Sequence, residues 1–212
     1  MKKMFIKPIN FLIELDKPII QVTFENNLEY RDFICSIKEQ IIYSENDEPL
    51  DIEKKIHIIT DIYNIDINDK KNITYLYKCI VSELDDEAKQ EFIDVNNKLI
   101  NILGRYNETS EYLIDYEDIV DINKVLNLYQ VKYNMEKYNY FEMITKYIII
   151  LSKVLKINTF ISFSLLRLLS NNEIDLLSKE LIINKINLID FDFNNEKKEV
   201  KFYEIDEDWC II

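Results

Sequence analysis

Residues 56–61, Ile56-His57-Ile58-Ile59-Thr60-Asp61, set the fold class. The run is short, rich in β-branched residues and apolar at nearly every position, which predicts a buried strand over Lys55–Thr60. His57 is the only histidine in the chain. Enclosed by isoleucines, it reads as a structural core residue. A hydrophobic strand that ends in an acid has the outline of a Walker B strand, with Asp61 at the metal position. That role needs a phosphate-cradling loop beside it, and such loops are built on several glycines. The chain has one, Gly104, so a Walker A loop and a dinucleotide fingerprint are both excluded. Asp61 then reads as a strand-end acid.

On the N-terminal side of this strand, Phe11-Leu12-Ile13 and Ile19 to Phe24 have β character, with Pro18 at the turn between them. Asn26 or Asn27 is placed to cap a helix carrying Phe33, Ile34, Ile37 and Ile41. Ser44 to Glu53 is polar, contains Pro49 and reads as a loop.

On the C-terminal side, Asn68 to Leu155 is helical in pattern. Ile73, Leu76, Ile80 and Leu84 form one stripe. Phe92, Val95, Leu99, Ile102 and Tyr106 recur at alternating spacings of 3 and 4, a coiled-coil-like seam. Gly104 and Asn107 weaken that helix near its end, and a polar bend is expected at Asn107–Glu111. Ile119, Ile122, Leu126 and Tyr129 make a short helix. Phe141, Ile144, Ile148, Leu151 and Leu155 make another, with a second stripe of Met143, Tyr147, Ile150 and Val154 that also requires covering. The tail returns to alternation: a strand at Thr159–Phe163, a helix at Glu173–Ile183 capped by Asn171 or Asn172, a strand at Ile186–Phe193, and a closing β pair from Val200–Ile205 and Trp209–Ile212. Strands and helices at both ends with helices between them predict one α/β head built from both termini, residues 1–65 and 138–212, and an inserted helical leg at 66–137.

The chain's 212 residues and 48% apolar content suffice for a sizeable core. The most apolar run, Tyr147–Leu151, ends at Ser152 and Lys153, far short of a membrane span. Met1-Lys2-Lys3-Met4 has the start of a signal peptide, but Lys7, Pro8, Asn10 and Glu14 interrupt it. A cytoplasmic protein is expected. Cys35, Cys79 and Cys210 are far apart and odd in number, which argues against a disulfide framework or zinc site. The net charge of −13 opposes simple nucleic-acid binding, so contact with DNA needs a local Lys/Arg cluster, a bound cation, or both.

Several strings, in order along the chain, resemble the ring-forming, DNA-end-binding protein family of type II-A CRISPR spacer acquisition. Ile9-Asn10-Phe11 through Leu15-Asp16-Lys17-Pro18-Ile19 is similar to its first hairpin. Ile58-Ile59-Thr60-Asp61-Ile62 with Ile65-Asp66-Ile67-Asn68 resembles its strand-to-leg junction. Ile114-Asp115-Tyr116-Glu117-Asp118-Ile119 resembles an acidic leg segment, and Phe160-Ile161-Ser162 with Ile205-Asp206-Glu207-Asp208-Trp209 the third strand region and the closing segment.

The resemblance implies an α/β head with a small mixed sheet, P-loop-like but without a nucleotide site, and paired helical legs. It implies a homotetrameric ring that threads onto double-stranded DNA ends without sequence preference, through a bore lined by Lys and Arg. It implies Ca²⁺ held by acidic side chains, no catalysis, no membrane, and work alongside the CRISPR adaptation integrase and effector nuclease. Asp115, Glu117, Asp118 and Asp121 are the favoured calcium ligands, because hard oxygen donors crowd one short segment there. The same acids also suit a solvated helix start. Asp206-Glu207-Asp208, then Asp190 and Asp192, rank behind them. Lys132 and Lys137, then Lys54 and Lys55, are the candidate DNA contacts among the basic pairs, which also include Lys2-Lys3, Lys70-Lys71 and Lys197-Lys198. The competing reading is an acidic protein–protein adaptor or DNA mimic that never touches DNA. A metal-dependent hydrolase at the acidic clusters is the third.

Overall fold

The computed structural model describes residues 1–117, 121–193 and 197–212. The chain forms two compact units, Met1–Asp66 with Met135–Ile212, and Ile67–Asn134.

The first unit opens with β1 (Lys2–Ile6), β2 (Phe11–Glu14), β3 (Ile19–Phe24), α1 (Asn27–Cys35), α2 (Ile37–Gln40), β4 (Ile41–Glu45), β5 (Glu48–Leu50), α3 (Ile52–Lys55) and β6 (Ile56–Ile58). The second unit contributes α4 (Lys70–Glu83), α5 (Asp86–Thr109) and α6 (Ile122–Leu128). The first unit then resumes with α7 (Tyr140–Leu155), β7 (Thr159–Phe163), a 3-10 turn at Leu166–Leu168, α8 (Asn171–Asn184), β8 (Asn187–Asp192) and β9 (Lys201–Ile205).

The class is α/β, with the strands divided between two sheets. One is antiparallel, in the order β2-β1-β4-β5; the other is parallel throughout, in the order β6-β7-β8-β3-β9. Parallel strands are covered on both faces, so their sequences read as continuous apolar runs. β3 fits this: all six of its residues are buried. On one side, Met4, Ile13, Phe33 and Tyr43 pack against Val22, Phe24 and Phe191. On the other, Ile144, Ile148 and Leu151 of α7 and Leu177 and Leu181 of α8 pack against Ile19, Phe160 and Leu188. The second stripe of α7, Met143, Tyr147, Ile150 and Val154, is half-buried.

Five features differ from expectation. Lys2–Ile6, whose basic start resembled a signal segment, is a sheet strand between β2 and β4. The stretch read as a loop after Ser44 holds a hairpin, β4 to β5, turning at Asn46 (φ 52°) and Asp47 (φ 66°). Asx residues tolerate that left-handed pair, and two of them between strands signal a two-residue hairpin. The first helix, expected to run through Ile41, stops at Cys35, because Ile41 and Tyr43 alternate inward as a strand. The α8 cap is Ser170, in a capping box with Glu173, in place of Asn171 or Asn172. The closing β pair reduces to a single bridge, Ile205 to Ile211.

In the helical unit, Asp85 caps α5 through the Ala88 N–H, and Tyr77 Oη on α4 donates to the Leu126 carbonyl of α6 at 3.4 Å. Asn68 holds both backbone groups of Tyr133, and Asn107 both of Ile114. The helix continues past Gly104 to Thr109, so the bend expected from Asn107 starts later. None of the residues of α5 is fully buried. Its seam stays open: Val95, Leu99, Ile102 and Tyr106 are each about half exposed.

Candidate functional site

Ligands of parallel α/β sheets bind beyond the carboxyl ends of the strands. At that edge the turn from β3 to α1 contains only Glu25 and Asn26. The Glu25 N–H donates to the Ile205 carbonyl at 2.9 Å, and the Asn26 side chain accepts from Leu28 N–H at 2.8 Å. Both ends of the turn are thus tied to the chain itself, and a phosphate loop would need several more residues. At the end of β6, Asp61 accepts the N–H groups of Tyr63 and Asn64, both at 3.0 Å, so it forms a turn.

The polar groups at this edge concentrate where β7 and β8 end. The register sets Ser162 and Gln21 on either side of Asp190, and Thr23 beside Asp192. Asp190 is fully buried and uses both oxygens: one accepts from Ser162 Oγ at 2.7 Å and Leu165 N–H at 2.9 Å, the other from Leu166 N–H at 3.0 Å. Burial pushes its carboxyl up to about 6, against the three donors that favour the charged form. Asp192 accepts from Ser164 Oγ at 2.9 Å, Arg167 Nη2 at 2.7 Å and its neighbour's N–H, that of Phe193, at 2.8 Å. The Arg167 guanidinium stacks on Phe193 at 4.6 Å, and Tyr30 packs on the same ring. Tyr30 Oη donates to the Phe191 carbonyl at 3.2 Å, and burial pushes its hydroxyl up to about 12. The cluster ties the β7–α8 connection, including the left-handed Ser164 (φ 56°), to the end of β8. Its chemistry is cross-bracing: the donors facing Asp190 come from the loop it holds.

Of the favoured calcium residues, Asp115, Glu117 and Asp121 lie in the helical unit and turn their oxygens to their own segment. Asp115 accepts from Tyr116 N–H at 3.0 Å, and Glu117 pairs with Lys124. Asp121 caps α6, accepting from the N–H and the side-chain amide of Asn123 at 2.9 and 2.7 Å. Asp118 lies outside the described residues. Among the described residues, no group of three or more His, Cys, Asp or Glu side chains is placed to hold a metal ion. In one chain, Asp115, Glu117 and Asp121 are thus each engaged with neighbouring groups of their own segment. In the rival segment, Asp206 accepts from Asp208 and Cys210 N–H groups and shapes a turn. Partial burial, with Glu207 and Asp206 close by, holds the nearby Glu29 carboxyl above its usual range.

Of the basic candidates, Lys54 pairs with Asp51 at 3.4 Å, and Lys55 is exposed at the end of α3. Lys132 and Lys137 are exposed and form no ion pair among the described residues. Lys132 belongs to the helical unit and Lys137 to the α/β unit. Lys2, on β1, gives its amine to Asn187 Oδ1 at 2.9 Å, and burial lowers its basicity. His57 stacks edge-on against Phe160 at 5.7 Å.

Ser162, Ser164, Arg167 and Tyr30 were not singled out from the sequence. Their signal was the spacing of polar residues two apart at strand ends, Ser162/Ser164 and Asp190/Asp192, which places both pairs on one face. Among the described residues, no helix is long and apolar enough to cross a membrane. No family model matches the chain, and no characterised protein matches it in sequence.

Proposed function

We propose that this protein is a non-catalytic, cytoplasmic, double-stranded-DNA-end-binding ring protein of CRISPR spacer acquisition, acting as a homotetramer beside the adaptation integrase and effector nuclease. The observation that carries the reading is the closed turn at Glu25-Asn26. A parallel sheet of nucleotide-binding type has its phosphate position filled by a two-residue cap, which favours a binding scaffold over a nucleotide-driven enzyme. The ordered strings along the sequence supply the family, and the chain's charge supplies the need for assembly. A net charge of −13 repels duplex DNA, so a grip on phosphate requires several copies of a cationic lining around it. Exposed Lys132 and Lys137, with Lys55, are the side chains offered for that lining. Calcium dependence enters from the resemblance alone, and no step is derived through the ion.

A gel shift on linear and covalently closed circular duplex, each with calcium and with chelator, tests the reading. Retardation of linear DNA only, lost when ends are blocked, is the expected result. Binding to neither form would leave the acidic adaptor, which the charge of −13 by itself favours.

A further inference from the structure

We infer that the cleft along the free edge of β6 is a docking site for an extended, basic and apolar segment of another protein, which joins the parallel sheet as a further strand. β6 ends its sheet and pairs only with β7. The Ile59 N–H donates to the Ile161 carbonyl at 2.8 Å, and Ile58 stands opposite Ile161 in the register. Parallel strands bond through alternate residues, so His57 and Ile59 turn their backbone groups to β7 and Ile58 turns both of its own outward. Among the described residues, neither of those two groups has a partner. Sheet edges are ordinarily defended by proline, by charge or by covering chain. β5 carries Pro49, and β9 is met by the bridge from Ile205 to Ile211. Ile56-His57-Ile58 has no proline, lysine or acid.

A cavity of about 550 Å³ borders that edge. Successive strand side chains point to opposite faces, so a cavity touched by Ile56, His57 and Ile58 in turn lies against the edge and not over one face. Ile34 and Ile37 of α1 and α2 add an apolar wall, and Ile52 of α3 adds to it. Ile34, Ile52 and Ile58 are half-buried, so this lining is open to solvent. At about 3.3 Å per residue, the edge from Ile56 to Thr60 is about 13 Å long, enough for a strand of about five residues. Main-chain bonds to Ile58 would hold such a strand, and its alternate side chains would fill the apolar slot. The charges of the lining select the occupant. They are Lys38, Glu39 and Glu53. Lys38 is taken by Glu53 at 2.8 Å, while Glu39 is exposed and forms no ion pair among the described residues. The unmatched charge is negative, and the chain's −13 adds a field of the same sign. A lysine or arginine on the incoming segment complements both. A second copy would bring the same acids and the same net charge, which disfavours it as the occupant.

The site needs neither DNA nor a ring, so it can stand if the DNA reading fails and fail if that reading holds. The probe is a fluorescein-labelled peptide with blocked ends, Arg-Val-Ile-Val-Arg, titrated with the full-length protein and followed by fluorescence anisotropy. Saturable binding is expected. The acidic counterpart, Glu-Val-Ile-Val-Glu, should bind at least about tenfold more weakly. A copy methylated on the backbone nitrogens of Val-Ile-Val keeps the charges and side chains but cannot pair as a strand, and should also lose at least about tenfold. Glu39→Gln, at an exposed position and with its fold checked by circular dichroism, should weaken binding of the basic peptide up to about fivefold, the scale of one exposed ion pair. In the ¹⁵N-labelled protein, the Ile58 amide should shift and gain protection from exchange when the peptide is bound. No binding at up to about 1 mM protein, equal binding of the acidic or the methylated peptide, an unchanged affinity in Glu39→Gln, or an unmoved Ile58 amide would each overturn the inference.

Discussion

Replacing Arg167 with Met strands a buried carboxylate, and the cost follows from the structure. The Asp192 side chain is 2% exposed and loses its cationic partner, keeping only Ser164 Oγ and the Phe193 N–H. Removing one partner of a fully buried ion pair costs about 3–5 kcal/mol. Arg167 is 31% exposed, so solvent already screens part of the pair, and the expectation falls to about 2–4 kcal/mol. Part of the loss is also packing, since the guanidinium stacks on Phe193. Urea unfolding followed by fluorescence is the assay. Trp209, the single tryptophan, packs edge-on to Phe24 in the same unit and reports on that unit alone. Adding Asp192→Asn to Arg167→Met removes the stranded charge, so the double variant should recover about 1–2 kcal/mol relative to the sum of the singles. A loss below about 1 kcal/mol, or single effects that add within about 0.5 kcal/mol, would refute the claim that these two groups brace the strand end as a pair.

The Asp190 carboxyl is raised to about 6, so the folded chain holds that proton more tightly than the unfolded chain does. Its contribution to stability therefore declines as pH rises from about 4 to about 6 and is flat above, a change of about 3 kcal/mol. Asp190→Asn should abolish that part of the pH profile in urea titrations across the range, and an unchanged profile would count against it. Gly104 lies inside α5, where an added Cβ would meet Tyr116 Oη at an ordinary 3.5 Å, so Gly104→Ala should stabilise the helical unit by about 0.5–1 kcal/mol in thermal melts. Asn26→Ala removes the cap of α1 and should cost about 1 kcal/mol, while millimolar ATP or ADP should leave the melting temperature of the wild type in place.

The parallel strands were legible because burial on both faces writes itself as apolar runs: Ile56-His57-Ile58, Thr159–Phe163 and Ile186–Phe193 were each found within a residue or two. The antiparallel sheet was harder. β1 is short and begins with two lysines, while β5 contains Pro49, a residue that belongs on an edge strand and gets read as a loop. The α5 seam was legible as a pattern, yet its exposure depends on the rest of the unit leaving it uncovered. The acidic segment was legible by composition, while the bonds of Asp115 to the Tyr116 N–H and of Glu117 to Lys124 were not, because they depend on how the segment folds. The brace at Asp190 and Asp192 was underrated because its partners, Ser162 and Arg167, are adjacent only once β7 and β8 are paired.

β3 lies between β8 and β9, so it stays without either neighbour until Asn187–Asp192 and Lys201–Ile205, far along the chain, have been made. Until then its six residues, four of them apolar, present two bare edges. Pairings across such long stretches of chain close slowly, and an unpaired edge is a template for another molecule. The helical unit, complete in one continuous segment, can form first and hold the growing chain compact. On the ribosome the parallel sheet closes only after the helical unit has been made, which leaves its open edges as the place where nascent chains can misassemble.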